Sequence, residues 1–113
     1  LARLVSPGMA KQLIYTAKNI KADEALRIGL VNAVYPLDEL MAAAEKLAET
    51  IAKNAPIAVR ACKKAINDGL EAKMDDAIVI EEKLFGSCFK TADQIEGMTA
   101  FLEKRKHEPY QNK

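Results

Sequence analysis

Apolar residues recur every three to four positions along most of the chain, a helical period. Ser6-Pro7-Gly8 reads as a helix start, the hydroxyl capping and the proline fitting the first turn. Met9, Leu13, Ile14 and Ala17 follow at helical spacing, so the first helix is expected to run to about Ala17. Asp23 to Ile28 predicts a short second helix, with Gly29 where a chain leaving a helix needs positive φ. Leu30 to Tyr35 is the one strand expected, a Val-containing run stopped by Pro36.

Beyond Pro36 the pattern is helical throughout. Leu40, Met41, Ala44, Leu47, Ala48 and Ile51 form an apolar stripe bordered by Glu45, Lys46, Glu49 and Lys53. Asn54-Ala55-Pro56 breaks that helix and Pro56 opens the next, whose face of Ala58, Ala61, Cys62, Ala65 and Ile66 is narrow and runs up to Gly69. A further helix places Met74, Ala77, Ile78, Glu81, Leu84, Phe85 and Cys88 on one broad side, and Val79 and Ile80 extend its apolar surface. A helix apolar on more than one side contacts more than its own domain. Thr91-Ala92-Asp93-Gln94 is a capping box for the last helix, with Ile95, Met98, Phe101 and Leu102 as its stripe, and Glu108-Pro109-Tyr110 ends regular structure. The expected fold class is mainly α.

Composition sharpens this picture. The 113 residues suit one domain, but Ala supplies much of the apolar content, Trp is absent, and there are only three Phe and three Tyr. Such sequence favours close helix packing with little bulk for a deep core, so apolar faces need a partner. Seventeen Lys plus Arg against sixteen Asp plus Glu give a net charge of +1, which supplies no global field toward nucleic acid or an anionic membrane. Neither is expected as a partner. Cys62 and Cys88 lack CxxC or Cys/His spacing and read as small buried thiols. The absence of a signal peptide, transit peptide or spanning apolar run predicts a soluble protein of a reduced compartment, the cytoplasm ahead of the mitochondrial matrix. The chain opens at Leu1 without an initiator Met, and a fragment is expected.

Candidate chemistry is sparse. The sequence holds no Ser/His/Asp or Cys/His set, no metal-ligand spacing and no phosphate-binding Gly loop, so no catalytic or metal residue is assigned. Glu81-Glu82 is an adjacent carboxylate pair, but helix neighbours point about a hundred degrees apart and cannot flank one reacting bond. A solvated pair accounts for it. His107 sits among cations and reads as a surface residue. The cluster Lys104-Arg105-Lys106 has two readings: cations complementing a helix C-terminus, or, with Phe101 one turn earlier on the same side, an aromatic and an ammonium able to stack on a nucleotide base and hold a phosphate.

Four segments carry a family resemblance. The stretch 21–32, KADEALRIGLVN, resembles the helix-to-strand turn of the crotonase (enoyl-CoA hydratase/isomerase) family. NAPIA at 54–58 with KKAIN at 63–67 is similar to the family's next helix, and FGSCFKTAD at 85–93 with EGMTAFLEKRK at 96–106 is similar to its tail. Within the family, the match is to short-chain enoyl-CoA hydratases, including 3-hydroxybutyryl-CoA dehydratases. The resemblance implies reversible syn addition of water to a 2-enoyl-CoA thioester, with two glutamates handling water and α-proton and backbone N–H groups stabilising the enolate. The family carries those groups in an N-terminal β/α spiral, so this chain is expected to be inactive alone. Residues 1–36 would end the spiral core, and residues 37–113 would form the helical C-terminal region that packs subunits into trimers or dimers of trimers and closes part of the CoA site. No cofactor is implied; acyl-CoA is the substrate. Phe101 and Lys104 match positions contacting CoA adenine and phosphate, commonly in a neighbouring subunit's site, and Phe85 matches a position near the acyl tail. Two alternatives stay open: another superfamily reaction such as enoyl-CoA isomerisation, and a non-enzymatic helical self-association module.

Overall fold

The computed structural model describes all 113 residues as six helices joined by turns. By compactness the chain forms two units, Leu1–Glu45 and Lys46–Lys113.

The first unit begins with α1, Pro7–Thr16. Ser6 Oγ accepts the Met9 N–H at 3.2 Å and Pro7 fills the first turn, so both start signals act as the sequence implies. The helix ends as Ala17 turns left-handed at φ 49°. Next, α2 spans Ala22–Arg27 and closes in a Schellman turn. Gly29 at φ 75° donates to the Leu26 carbonyl at 3.1 Å, and the Leu30 N–H reaches the Ala25 carbonyl at 2.9 Å. Glycine takes this left-handed conformation at no steric cost, which a residue with a Cβ must bear. Val5 and Ala10 are the buried apolar residues of this unit.

The expected strand at 30–35 does not form. Residues 30–36 run as bends and irregular chain up to Pro36. A strand is completed by a ladder partner, and the chain contains no second extended segment to provide one. The β-prone composition of the run therefore has no hydrogen-bonding outlet. Instead α3, Leu37–Ala52, starts directly after Pro36, three residues earlier than the Leu40 stripe implies. Asp38 and Glu39 in its first turn complement the helix dipole.

In the second unit, α4 (Pro56–Glu71) and α5 (Met74–Cys88) are joined by only two residues and are the one pair of elements with extensive packing, a helical hairpin. Gly69 lies inside α4 and does not end it; a Cβ placed there would stand 3.6 Å from the Ala77 Cβ, so the small residue allows α5 to approach. The last helix, α6, spans Ala92–Leu102, and the Thr91 hydroxyl accepts the Gln94 N–H at 3.1 Å.

Buried apolar side chains are few. In the second unit Ala100 alone is buried, while Leu47, Ile51, Met74, Ile78, Phe85, Phe89, Ile95, Met98, Phe101 and Leu102 stay exposed. The stripes that define the amphipathic helices in the sequence are thus mostly surface in the single chain. That is the expected signature of faces that meet other protein.

Candidate functional site

At the end of α6 the sequence-predicted residues Phe101 and Lys104 are joined through the backbone of one turn, by a route other than helical spacing. The helix stops at Leu102, so the one-turn, same-side relation does not extend to Lys104. Lys104 instead occupies the left-handed position of a second Schellman turn, at φ 55°. Its N–H donates to the Phe101 carbonyl at 3.2 Å, and the Arg105 N–H donates to the Ala100 carbonyl at 3.0 Å. Glycine is the usual occupant of this position, and a lysine there carries a backbone cost of about 1–2 kcal/mol. Phe101 is 77% exposed, and the exposed Lys104 ammonium has no hydrogen-bond or ion-pair partner.

Arg105, next to the apex of the turn, is bonded to carboxylates on α6 and beside it. Its guanidinium donates to both carboxylate oxygens of Glu96, at 2.6 and 3.1 Å, and its Nε donates to Glu103 at 2.7 Å. Glu96 also accepts the Glu108 N–H at 2.8 Å. The Arg105 hydrogen bonds, then that backbone N–H, lower the Glu96 carboxyl to about 2, and Glu96 in turn raises the Arg105 guanidinium. Of the three neighbouring cations, the central one is therefore committed to carboxylates. Lys104 remains available to an anion.

The chain after the turn folds back along α6. Asp93 is 3% exposed and accepts the N–H groups of Gln111 at 2.6 Å and Asn112 at 2.8 Å. The Ala92 N–H donates to the Lys113 carbonyl at 2.8 Å, and Arg60 Nη2 donates to Asn112 Oδ1 at 2.6 Å. His107 stacks on Tyr110 with ring centroids 4.3 Å apart, and its Nδ1–H donates to the Glu108 carbonyl at 2.8 Å. The surface histidine of the sequence reading is half-buried in this strap.

Phe85 lies elsewhere, on a cleft of about 280 Å³ between α4 and α5. Ala61, Cys62, Ala65 and Ile66 form one wall; Glu81, Leu84, Phe85 and Cys88 form the other. Phe85 packs edge-on to Phe89 at 5.2 Å and remains 66% exposed. Cys62 and Cys88 are both free thiols, and the expectation that both are buried is corrected: Cys62 is exposed and Cys88 half-buried, because the small-residue face of α4 is left open beside the cleft. Glu81 and Glu82 are exposed and make no reacting pair.

An exposed aromatic and a free ammonium at a helix end, with an apolar cleft elsewhere in the same unit, is an arrangement suited to an anionic nucleotide bearing an apolar arm. The family model for enoyl-CoA hydratase/isomerase matches residues 1–112. The chain belongs to that family. Among enoyl-CoA hydratase/isomerase family members, it is 57% identical over its whole length to the short-chain-enoyl-CoA hydratase of Clostridium acetobutylicum, of which it covers 43%. Over 106 residues it is 57% identical to the crotonyl-CoA hydratase of Syntrophomonas wolfei, covering 94% of this chain and 41% of that protein. The crystal structure of enoyl-CoA hydratase from Bacillus anthracis superposes with a TM-score of 0.86 at 40% identity, covering 99% of this chain and 43% of that one. The chain thus spans about two-fifths of the length of these relatives. Its helices are those of the family's C-terminal helical region.

The residues that sequence reasoning missed are Glu96, Arg105 and Asp93. Glu96 and Arg105 are nine positions apart, and the Asp93 partners lie 18 and 19 positions on, separations far beyond the three or four residues that make neighbours on one helix. The available signal was a lysine where a helix C-terminus ordinarily carries glycine.

Proposed function

We propose that this chain is the helical C-terminal part of a short-chain enoyl-CoA hydratase, catalysing reversible hydration of 2-enoyl-CoA thioesters. In this reading residues 1–36 end the catalytic core and residues 37–113 supply subunit contacts and part of the CoA site. Phe101 stacks on the adenine and Lys104 pairs with a phosphate of CoA, while Phe85 borders the acyl tail. No residue of the chain takes a catalytic role, and no metal or cofactor is required. The observation carrying the reading is the pairing of an exposed Phe101 with an unpartnered Lys104 at the end of α6, in a chain 57% identical to two hydratases.

The chemistry follows from the parts. An aromatic face and a cation bind a nucleotide phosphate through stacking and Coulomb attraction, and both are strongest when the groups are held before the ligand arrives. The exposed apolar stripes support assembly as a homo-oligomer, with the α3 and α5 faces covered by other protein. The proposal extends to a bacterial cytoplasmic enzyme; the two hydratases named are bacterial, and no helix is long and apolar enough to cross a membrane.

The test is hydration of crotonyl-CoA, followed as loss of the conjugated thioester absorbance, by a protein carrying this chain at the length of its relatives. Turnover by that protein and none by residues 1–113 alone is expected. Robust turnover by the 113 residues, or migration of the double bond without water addition, contradicts the reading.

A further inference from the structure

Lys104 is the residue the proposed CoA contact depends on, yet its own side chain is tied to nothing. Everything that fixes it lies to either side. Its two neighbours in sequence, Glu103 and Arg105, are joined by the Arg105 Nε bond to Glu103 at 2.7 Å. The same guanidinium is anchored to the helix body through Glu96 at 2.6 and 3.1 Å. Glu96 then takes the Glu108 N–H at 2.8 Å, so the chain leaving the turn is fastened to the same carboxylate. Lys104 therefore sits at the apex of a left-handed turn closed by backbone bonds on the inside and by one forked ion pair on the outside.

From this geometry we infer that Glu96 and Arg105 are positioning residues for CoA recognition: their forked pair holds Lys104 in its left-handed turn, so that the ammonium is presented to the nucleotide phosphates beside Phe101. This deepens the function proposed above and rests on it. Three features support it. The left-handed conformation is unfavourable for lysine and persists only where surroundings over-determine it, as they do here. The pair removes the charge of Arg105 from the competition for phosphate, leaving one defined cation at the apex. A planar fork on a carboxylate fixes orientation as well as distance, which a lysine at the same place cannot do.

The experiment measures CoA and pantetheine binding calorimetrically to a protein carrying this chain at the length of its relatives. Pantetheine lacks the nucleotide, so the ratio of the two affinities reports the contacts made to the nucleotide, those of Phe101 and Lys104 among them. The unsubstituted protein should prefer CoA. Arg105→Lys and Glu96→Gln should each reduce that preference by about fivefold or more, the range expected when a charged contact loses its geometry, with pantetheine affinity unchanged. In a Lys104→Ala background the same substitutions should cost nothing further, since the residue they position is gone. Preservation of the CoA preference in both clamp variants overturns the inference while leaving the hydratase reading intact. Equal weakening toward CoA and pantetheine also overturns it, as general damage to the fold. A protein without measurable CoA affinity overturns the hydratase reading itself and this inference with it.

Discussion

Arg105 reaches back nine residues to grip both carboxylate oxygens of Glu96, at 2.6 and 3.1 Å, directly beside the left-handed turn whose apex is Lys104. The ion pair is partly exposed on each side, so its value lies in geometry more than in global stability. It defines the end of α6, and the proposed nucleotide contact is built there.

A first consequence concerns Lys104 itself. Lys104→Gly relieves the left-handed backbone and should stabilise the fold by roughly 0.5–1 kcal/mol, read as a raised midpoint in urea unfolding. The same variant should bind CoA more weakly. Lys104→Ala keeps the backbone cost and removes the exposed stem with its ammonium, so it should leave the midpoint nearly unchanged while weakening CoA equally. A Gly variant that loses stability would show that the turn is not strained by lysine.

The acid response of the turn has a definite sign. Glu96 is lowered from an ordinary value of 4.5 to about 2, chiefly by the Arg105 hydrogen bonds and then by the Glu108 N–H. A depressed carboxyl contributes stability that is complete above about pH 4.5 and is lost as pH falls toward 2. Carboxyl chemical shifts followed by NMR should place the Glu96 midpoint near 2. Arg105→Gln should move that midpoint back toward the ordinary range. No change between pH 6 and 8 is attributable to this pair.

Asp93 governs the strap. Its buried carboxylate receives two successive backbone N–H groups, and Asp93→Ala leaves both without a partner. A loss of about 1–3 kcal/mol is expected, unless the strap detaches and exposes the amides to water. Hydrogen exchange at Gln111 and Asn112 should accelerate strongly in either event. Unchanged protection of those two amides would mean that Asp93 does not hold the strap.

Gly69 offers a packing test. A Cβ there would meet the Ala77 Cβ at 3.6 Å, ordinary contact, so Gly69→Ala should fit the α4–α5 hairpin. The better helix propensity should add up to about 1 kcal/mol. Gly97→Ala should behave differently, because its Cβ would stand 3.1 Å from the Tyr110 hydroxyl, so the Tyr110 side chain must give by a few tenths of an ångström.

Helix positions were legible where the chain carries its own boundary signals. Ser6 with Pro7, Gly29, Pro56 and Thr91 each act locally, and each does in the structure what its chemistry implies. Leu30 to Tyr35 misled because strand composition describes a segment that fits a sheet, while the sheet itself must come from other strands. Gly69 stands inside α4, where its small size admits Ala77 at close approach, a role that the helical pattern alone does not reveal. Phe101 and Lys104 were legible as residue types, but the turn that joins them was not. It depends on Glu96 and Arg105, which meet only after the chain has reversed, and on a strap whose partners lie 18 and 19 positions away.

The account turns on where the nucleotide of CoA lies. A crystal structure of a protein carrying this chain at the length of its relatives, with an acyl-CoA bound, measures this directly. The account predicts the adenine stacked on Phe101, a phosphate oxygen within ion-pair distance of the Lys104 Nζ, and Arg105 still forked on Glu96. A nucleotide seated elsewhere, with Phe101 and Lys104 free in solvent, would contradict it.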